Sequence, residues 1–335
     1  MDHSKDNPAG QLSGHSTGHR NITAKFIYAK GTAEELALDQ LSQALERKDG
    51  FVWVHIHCPT PQKTIYAVPE IPRYIAKVLS ASETRPRSDV IPEGLLLNLR
   101  CLDPKHTQEP NSMVSLRLWM NERIIVSVHR KPLPFIGKLL TRVHEDILVS
   151  NSIDVLRLML EAIIEDMTNI ALDFTEAIDS LEDSDESIRE KRRKLSEYRR
   201  GIISIRRYLV PQREALLRLP IDKLAWLSDL QRLSLRESAD STTRILEDLE
   251  TAKDRANLLQ EEFLNITQEQ INTKIYLLSI VAVIFMPLSF VTGLLGINVG
   301  GVPGIGNHLS FWIVCIVLFF IMLIEVLVLR YLKWL

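Results

Sequence analysis

The chain has 335 residues, 46% of them hydrophobic and 24% charged, with a formal net charge of −2 and a mean hydropathy of +0.02. That near-zero average joins two unlike parts. Residues 275–335 hold only Glu325, Arg330 and Lys333 among the charged side chains, which leaves a net −3 on residues 1–274 and +1 on the remainder. A purely soluble protein is excluded, and so is a bundle of many membrane helices, because residues 1–274 contain no uncharged run long enough to span a bilayer.

The charge balance lacks the basic excess of a nucleic-acid binder. Three widely spaced cysteines (Cys58, Cys101, Cys315) give neither a disulfide framework nor zinc-knuckle spacing and point to a reduced compartment. Residues 1–20 are polar and rich in Gly, Ser and His, with no apolar stretch of the secretory kind. They read as a disordered tail, in which His3, His15 and His19 are too irregularly spaced to argue for a metal site.

Residues 21–131 read as a small α/β domain. Strands are predicted at Ile22–Tyr28, Phe51–His57, Leu95–Cys101, Met113–Met120 and Arg123–His129, with Asn121-Glu122 turning a hairpin between the last two. Helices are predicted at Ala33–Glu46, with Thr32 as cap, and at Ile71–Ser80. His55 and His57 fall on one face of their strand and Cys58 follows them. A structural strand with a polar face is the simpler reading than a metal site, because no second pair of ligands is visible.

Residues 132–274 read as a bundle of long helices. Neither Lys138–Arg200 nor Ile221–Met286 contains Gly or Pro, and both far exceed the usual helix length of about 12 residues. Ile245, Leu249, Ala252, Ala256, Leu259, Phe263 and Ile266 recur at 4-3 spacing, a heptad packing seam. The block Glu182–Lys194, acidic then basic, reads as a solvated hairpin tip or face.

Two transmembrane helices follow, Ile275–Leu295 and Leu309–Leu329, each long enough for the ~30 Å hydrocarbon core. Loop 296–308 has no Lys or Arg, whereas Lys274, Arg330 and Lys333 flank the spans, so both termini are expected in the cytoplasm. Tyr276, Trp312, Tyr331 and Trp334 sit where interfacial aromatics are found. Two spans cannot enclose an aqueous path, so a transport function requires a ring of identical chains.

The face of the first span that would line such a ring carries Ala282, Met286, Ser289 and Gly293, smaller or more polar than their neighbours. Traced backwards, the line passes Leu278 and Ile275 and then Glu261, Asn257, Asp254, Glu250 and Glu247, an acidic stripe that would concentrate cations in a symmetric assembly. Small residues packing helices and an ordinary solvated acidic face remain the alternative. Loop 296–308 holds five of the 14 glycines. Gly296-Ile297-Asn298 closes the first span, where glycine suits a left-handed helix end and exposed carbonyls attract cations. Rings of Asn298 amides would bind a metal ion through its hydration shell. His308 and Glu325 are the candidates for proton coupling, set against an ordinary loop histidine and a snorkelling acid near the cytosolic end.

A large cytosolic α/β and helical part, a long helix, two C-terminal spans and G-x-N closing the first of them occur together here. The chain thereby resembles the CorA family of metal-ion transporters over residues ~21–335. Gly296-Ile297-Asn298-Val299, no acid in the loop and the ending Lys333-Trp334-Leu335 resemble its zinc-transporting ZntB branch. The resemblance implies an α+β membrane protein, a funnel-shaped homopentamer of a bacterial inner membrane, whose pore positions fall on Asn298, Gly293, Ser289, Met286 and Leu278, with a gating acid near Glu261. It implies zinc as cargo and coupling to protons, with uptake the adopted direction, and no cofactor beyond the transported ions. The path offers no His, Cys or carboxylate ligand within the membrane, so a largely hydrated ion fits it best. A magnesium or broad divalent-cation channel is the first alternative and a membrane-anchored sensor or scaffold the second. No nucleophile–base pair, catalytic carboxylates or phosphate loop argues for an enzyme.

Overall fold

The computed structural model describes residues 21–81, 85–103, 113–145, 149–221, 224, 226–297, 304 and 308–333. The tail with its three histidines, Asn298 and Trp334 lie outside them.

Among the described residues, seven strands form one sheet: β1 (Ile22–Tyr28), β2 (Ala33–Leu36), β3 (Gly50–His57), β4 (Arg87–Ile91), β5 (Gly94–Leu102), β6 (Met113–Met120) and β7 (Ile124–His129). Their spatial order is β2-β1-β3-β7-β6-β5-β4, antiparallel except for the parallel pair β3–β7. The expected hairpin turn is present. Asn121 Oδ1 accepts from the amides of Arg123 (2.9 Å) and Ile124 (3.1 Å), the side-chain turn that asparagine favours.

Two expectations are corrected. Ala33–Glu46 is not one helix capped by Thr32; Ala33–Leu36 pairs with β1 as β2, a turn Leu38–Gln40 follows, and only α1 (Leu41–Glu46) is α-helical. The reason is tertiary. Gly31 takes φ 89° in the tight turn after β1, Tyr28 N donates to Thr32 O (2.8 Å), and Arg47 lies over the Phe26 ring (3.9 Å) while pairing with Glu34 of β2 (2.6 Å). The edge strand β4, which no apolar alternation announces, pairs with β5 after a turn made possible by Gly94 at φ +132°. The second predicted helix is shorter than expected, α3 (Arg73–Leu79), starting directly after Pro72, a residue suited to a helix start.

One face of the sheet buries Phe26, Val52, Val54, Ile56, Val126 and Val128 against α1, α2 (Pro61–Ile65) and α3. On the other face Lys25, paired with Trp53 across β1–β3, donates from Nζ to the carbonyl of Leu140 (3.1 Å) in α4 (Pro134–Glu145). Three long helices follow: α5 (Ser152–Asp183), α6 (Ile188–Ile221) and α7 (Asp229–Leu295); α8 (Ser310–Tyr331) completes the chain. Asn151 caps α5 in a reciprocal capping box with Asp154, its Oδ1 accepting from the Asp154 amide (3.1 Å). The charged block Glu182–Lys194 spans the turn between α5 and α6, closed by the ion pair of Lys194 with Glu186.

The chain forms two compact units that divide within α7, after Leu258. In the first, the seam residues Ile245, Leu249, Ala252 and Ala256 are buried, and Arg255 bridges to Asp179 (2.6 Å) and Glu182 (3.0 Å) of α5. In the second, Leu259 and Phe263 are buried and Ile266 half-buried, continuing the heptad pattern.

Candidate ion pathway

The apolar part of α7 and nearly all of α8 meet the length and composition of membrane-crossing helices, and almost none of either stretch is buried within the chain. A core helix of a soluble protein would be covered; a helix apolar all round and uncovered requires lipid or further protein. Pro287 leaves the carbonyl of Val283 without its amide donor, yet α7 runs through it unbroken.

Within this unit each helix has one covered line. On α7 it is Ile280, buried, with Ile284, Leu288 and Val291 half-buried. On α8 it is Val314, Leu318, Ile321 and Glu325, half-buried, and Leu329, buried. Ala282, Met286 and Gly293 lie two residues beyond members of the α7 line and Ser289 lies two before Val291, a separation of about 200° around the helix, and so all four are on its opposite side. All four are exposed, and so are Leu278 and Ile275. Exposure alone does not single them out: Leu278 and Met286 are each 70% exposed, but Phe290 is 71%. A Cβ added to Gly293 would meet nothing within 4 Å, so the chain itself gives no packing reason for glycine there.

At the end of α7 the Gly296 amide donates to the carbonyls of Thr292 (3.0 Å) and Gly293 (3.2 Å). The left-handed glycine end expected there is not formed; the shared bond closes the last turn without it. Among the described residues of this loop the left-handed glycine is Gly304, φ 92°, whose carbonyl accepts from Ser310 Oγ (2.9 Å) at the start of α8. Ile297 is exposed, and Asn298 lies outside the described residues.

The acidic stripe is less uniform than its sequence. Glu247, Asp254 and Glu261 are exposed and Asn257 is half-buried. Glu250, however, is ion-paired with Arg206 of α6 and with Lys253, whose Nζ is also 3.6 Å from Asp254. These partners were invisible to periodicity: Lys253 stands off the stripe, and Arg206 comes from another helix. Glu325 falls on the covered line of α8 with its Oε2 buried and unbonded, whereas His308 is exposed in the loop.

His55 has a partner that the sequence did not disclose. The parallel register sets His55 beside Ser127 and His57 beside His129. His55 Nε2 lies 3.1 Å from His129 Nε2, and the His57 ring stacks on His129 at 4.7 Å. Burial, reinforced by the neighbouring imidazoles, pushes the pKa of His55 down to about 3; burial also lowers His129 to about 4. Among the described residues no three His, Cys, Asp or Glu side chains converge on a metal position.

Residues 48–331 match the family model described as "CorA-like Mg2+ transporter protein". The chain is 29% identical over 301 residues to the zinc transport protein ZntB of Klebsiella pneumoniae, covering 89% of this chain and 90% of that one. It is also 29% identical to ZntB of Cronobacter sakazakii, over 81% and 84% of the two chains. Among solved structures, full-length CmaX superposes with TM-score 0.79 at 27% identity, covering 95% of this chain and all of CmaX. The CorA magnesium transporter of Methanocaldococcus jannaschii gives 0.78 at 18% identity over 94% and 99%, a likeness of fold. An N-terminal α/β part, a long helix and two C-terminal apolar helices are thus shared over most of the chain, and the chain belongs to the CorA-like Mg2+ transporter family, a family of transporters and not of enzymes.

Proposed function

We propose that this chain carries divalent cations, zinc foremost, across a bacterial inner membrane through a pore formed by identical copies, by analogy with ZntB relatives that match over most of their length. The observation that carries the reading is the uncovered line Leu278, Ala282, Met286, Ser289 and Gly293, opposite the face that α7 covers within its own chain. Brought together around a rotation axis, such lines make a narrow path with few strong ligands, and Asn298 at its mouth would hold the ion through its water shell. The family's pentamer, with both termini cytoplasmic, is the assembly adopted. Glu247, Asp254 and Glu261 then supply a cation-collecting entrance. Glu325 is the preferred proton site over His308, because its buried, unbonded oxygen stands in a segment where an acid needs a function or a partner.

Zinc flux into proteoliposomes, with and without an imposed pH gradient, tests cargo, coupling and direction together. Asn298→Ala should abolish flux while assembly persists; unchanged flux would remove the mouth from the mechanism. Magnesium is the second reading, favoured by the family description. Faster Mg2+ than Zn2+ movement in the same vesicles would establish it at the expense of zinc.

A further inference from the structure

The histidine face of the sheet holds a polar assembly that transport leaves unused. Its hydrogen bonds run in one line from a group that only donates to one that only accepts. Trp53 Nε1 donates to Ser127 Oγ (2.9 Å), Ser127 Oγ lies 2.9 Å from His55 Nδ1, His55 Nε2 lies 3.1 Å from His129 Nε2, and His129 Nδ1 lies 2.6 Å from the carbonyl of Lys131. The carbonyl requires the His129 proton on Nδ1, so His129 Nε2 presents a lone pair. His55 must donate into it from Nε2 and accept from the Ser127 hydroxyl at Nδ1. A single proton therefore occupies the space between two inward-facing imidazole nitrogens.

The location has its own logic. β3 and β7 are the one parallel pair among the described residues, and they send the chain to opposite faces of the sheet. After β3 it enters α2 and α3, whose Ile65 and Ile75 join the core on one side; after β7 it enters α4 on the other, where Lys25 meets Leu140. Where neighbouring parallel strands part in this way, a ligand crevice opens beyond their carboxyl ends. His57 and His129 are the last residues of those two strands.

We propose that this is a binding site for one transition-metal ion of the zinc type, held by Nε2 of His55 and of His129, with His57 as the third ligand. Two nitrogens bound at about 2.0–2.1 Å to a tetrahedral zinc lie roughly 3.3–3.4 Å apart, so the metal replaces the shared proton with a shift of a few tenths of an ångström. The His129 Nδ1–H on a backbone carbonyl is the outer-shell bond that orients a metal-binding imidazole. His55 becomes a ligand by moving its proton from Nε2 to Nδ1, where it donates to Ser127 Oγ as the hydroxyl turns; no proton is lost. His57 now stacks on His129, which is why three ligands do not already converge; its half-buried ring swings off that stack to bind. Solvent fills the fourth position. The site stands on the sheet alone and does not depend on the pore.

The test uses the full-length chain in detergent, stripped with a chelator and titrated with Co2+, then Zn2+. The wild type should develop the visible bands of four-coordinate cobalt at one equivalent per chain, bleached by Zn2+. An ion held only through its water shell stays six-coordinate and almost colourless, so pore occupancy does not imitate the signal. His129→Gln should remove the bands. Because that variant alters a buried position, His57→Gln at the half-buried strand end and Ser127→Ala behind His55 are measured beside it; each should weaken cobalt binding about 10-fold or more. Absence of four-coordinate bands in the wild type, or bands of equal affinity in His57→Gln and His129→Gln, would overturn the assignment.

Discussion

Replacing Arg206 by Gln removes the cation that α6 lays on Glu250, and so makes the acidic line of α7 one net charge more negative, with Lys253 still paired to Glu250. The pair is partly exposed, at 26% for the arginine and 39% for the glutamate side chain, so its loss should change stability by only about 0–1 kcal/mol. The electrostatic effect is larger. A divalent ion passing about 8 Å from the unmasked charge in water gains about 1 kcal/mol, roughly a sixfold rise in local concentration. At physiological ionic strength the Debye length is itself about 8 Å, which cuts the gain to about 0.4 kcal/mol, or about twofold. Initial zinc flux at sub-saturating zinc should therefore rise about sixfold over wild type at low salt and about twofold near 0.15 M, with the thermal midpoint almost unchanged. Arg206→Lys should behave as wild type. Flux that is indifferent to the substitution at low salt, or lowered by it, would mean that cations do not pass along this face.

Three further outcomes separate stability from transport. Gly94→Ala should destabilise the sheet by about 3 kcal/mol or more, because the methyl would lie 2.1 Å from the carbonyl oxygen of Met120 at a φ that only glycine adopts readily. Gly137→Ala, with nothing within 4 Å, should instead gain up to about 1 kcal/mol, and equal unfolding midpoints for the two variants would contradict both. Gly293→Ala finds open space within its own chain, so it should fold as well as wild type yet lower flux several-fold if every copy adds a methyl to the path; wild-type flux would place this face against lipid. Glu325→Gln should leave downhill zinc flux intact and abolish its stimulation by a pH gradient, and undiminished stimulation would exclude this acid from coupling.

The strands that the sequence disclosed are those whose residues are largely covered and therefore mostly apolar. Ile22–Tyr28 and Met113–Met120 were legible to the residue, because each must offer apolar side chains to a core. Ala33–Leu36 was not: Ala-Glu-Glu-Leu carries good helix formers, and it is a strand only because β1 offers a free edge and Gly31 turns the chain back onto it. The same limit applies to side-chain partners. His55 and His57 share a face by strand geometry, but the meeting of His55 with His129 depends on a parallel register between positions 74 apart in sequence. Arg206 neutralises Glu250 from a different helix, so a stripe drawn on α7 alone overstated its free charge. The spans were the most legible of all, because bilayer thickness leaves composition and length as the whole criterion.

The contrast between the two ion environments argues for separate tasks. Along α7 the line from Leu278 to Gly293 offers one thioether and one hydroxyl and no imidazole or carboxylate, a poor set for gripping zinc directly. That is the chemistry a path requires, since an ion bound by several strong ligands leaves slowly. In the sheet the reverse holds. Imidazole nitrogens meet at 3.1 Å, buried, with their outer bonds already oriented by a carbonyl and a hydroxyl, which is the chemistry of retention. A chain that merely leaked cations would have no use for the second environment, and one that merely stored zinc would have no use for an uncovered apolar helix long enough to cross a membrane. On the two proposals, a cation passes weakly held along α7 and another is retained in the sheet, and vesicle fluxes and cobalt spectra address the two independently.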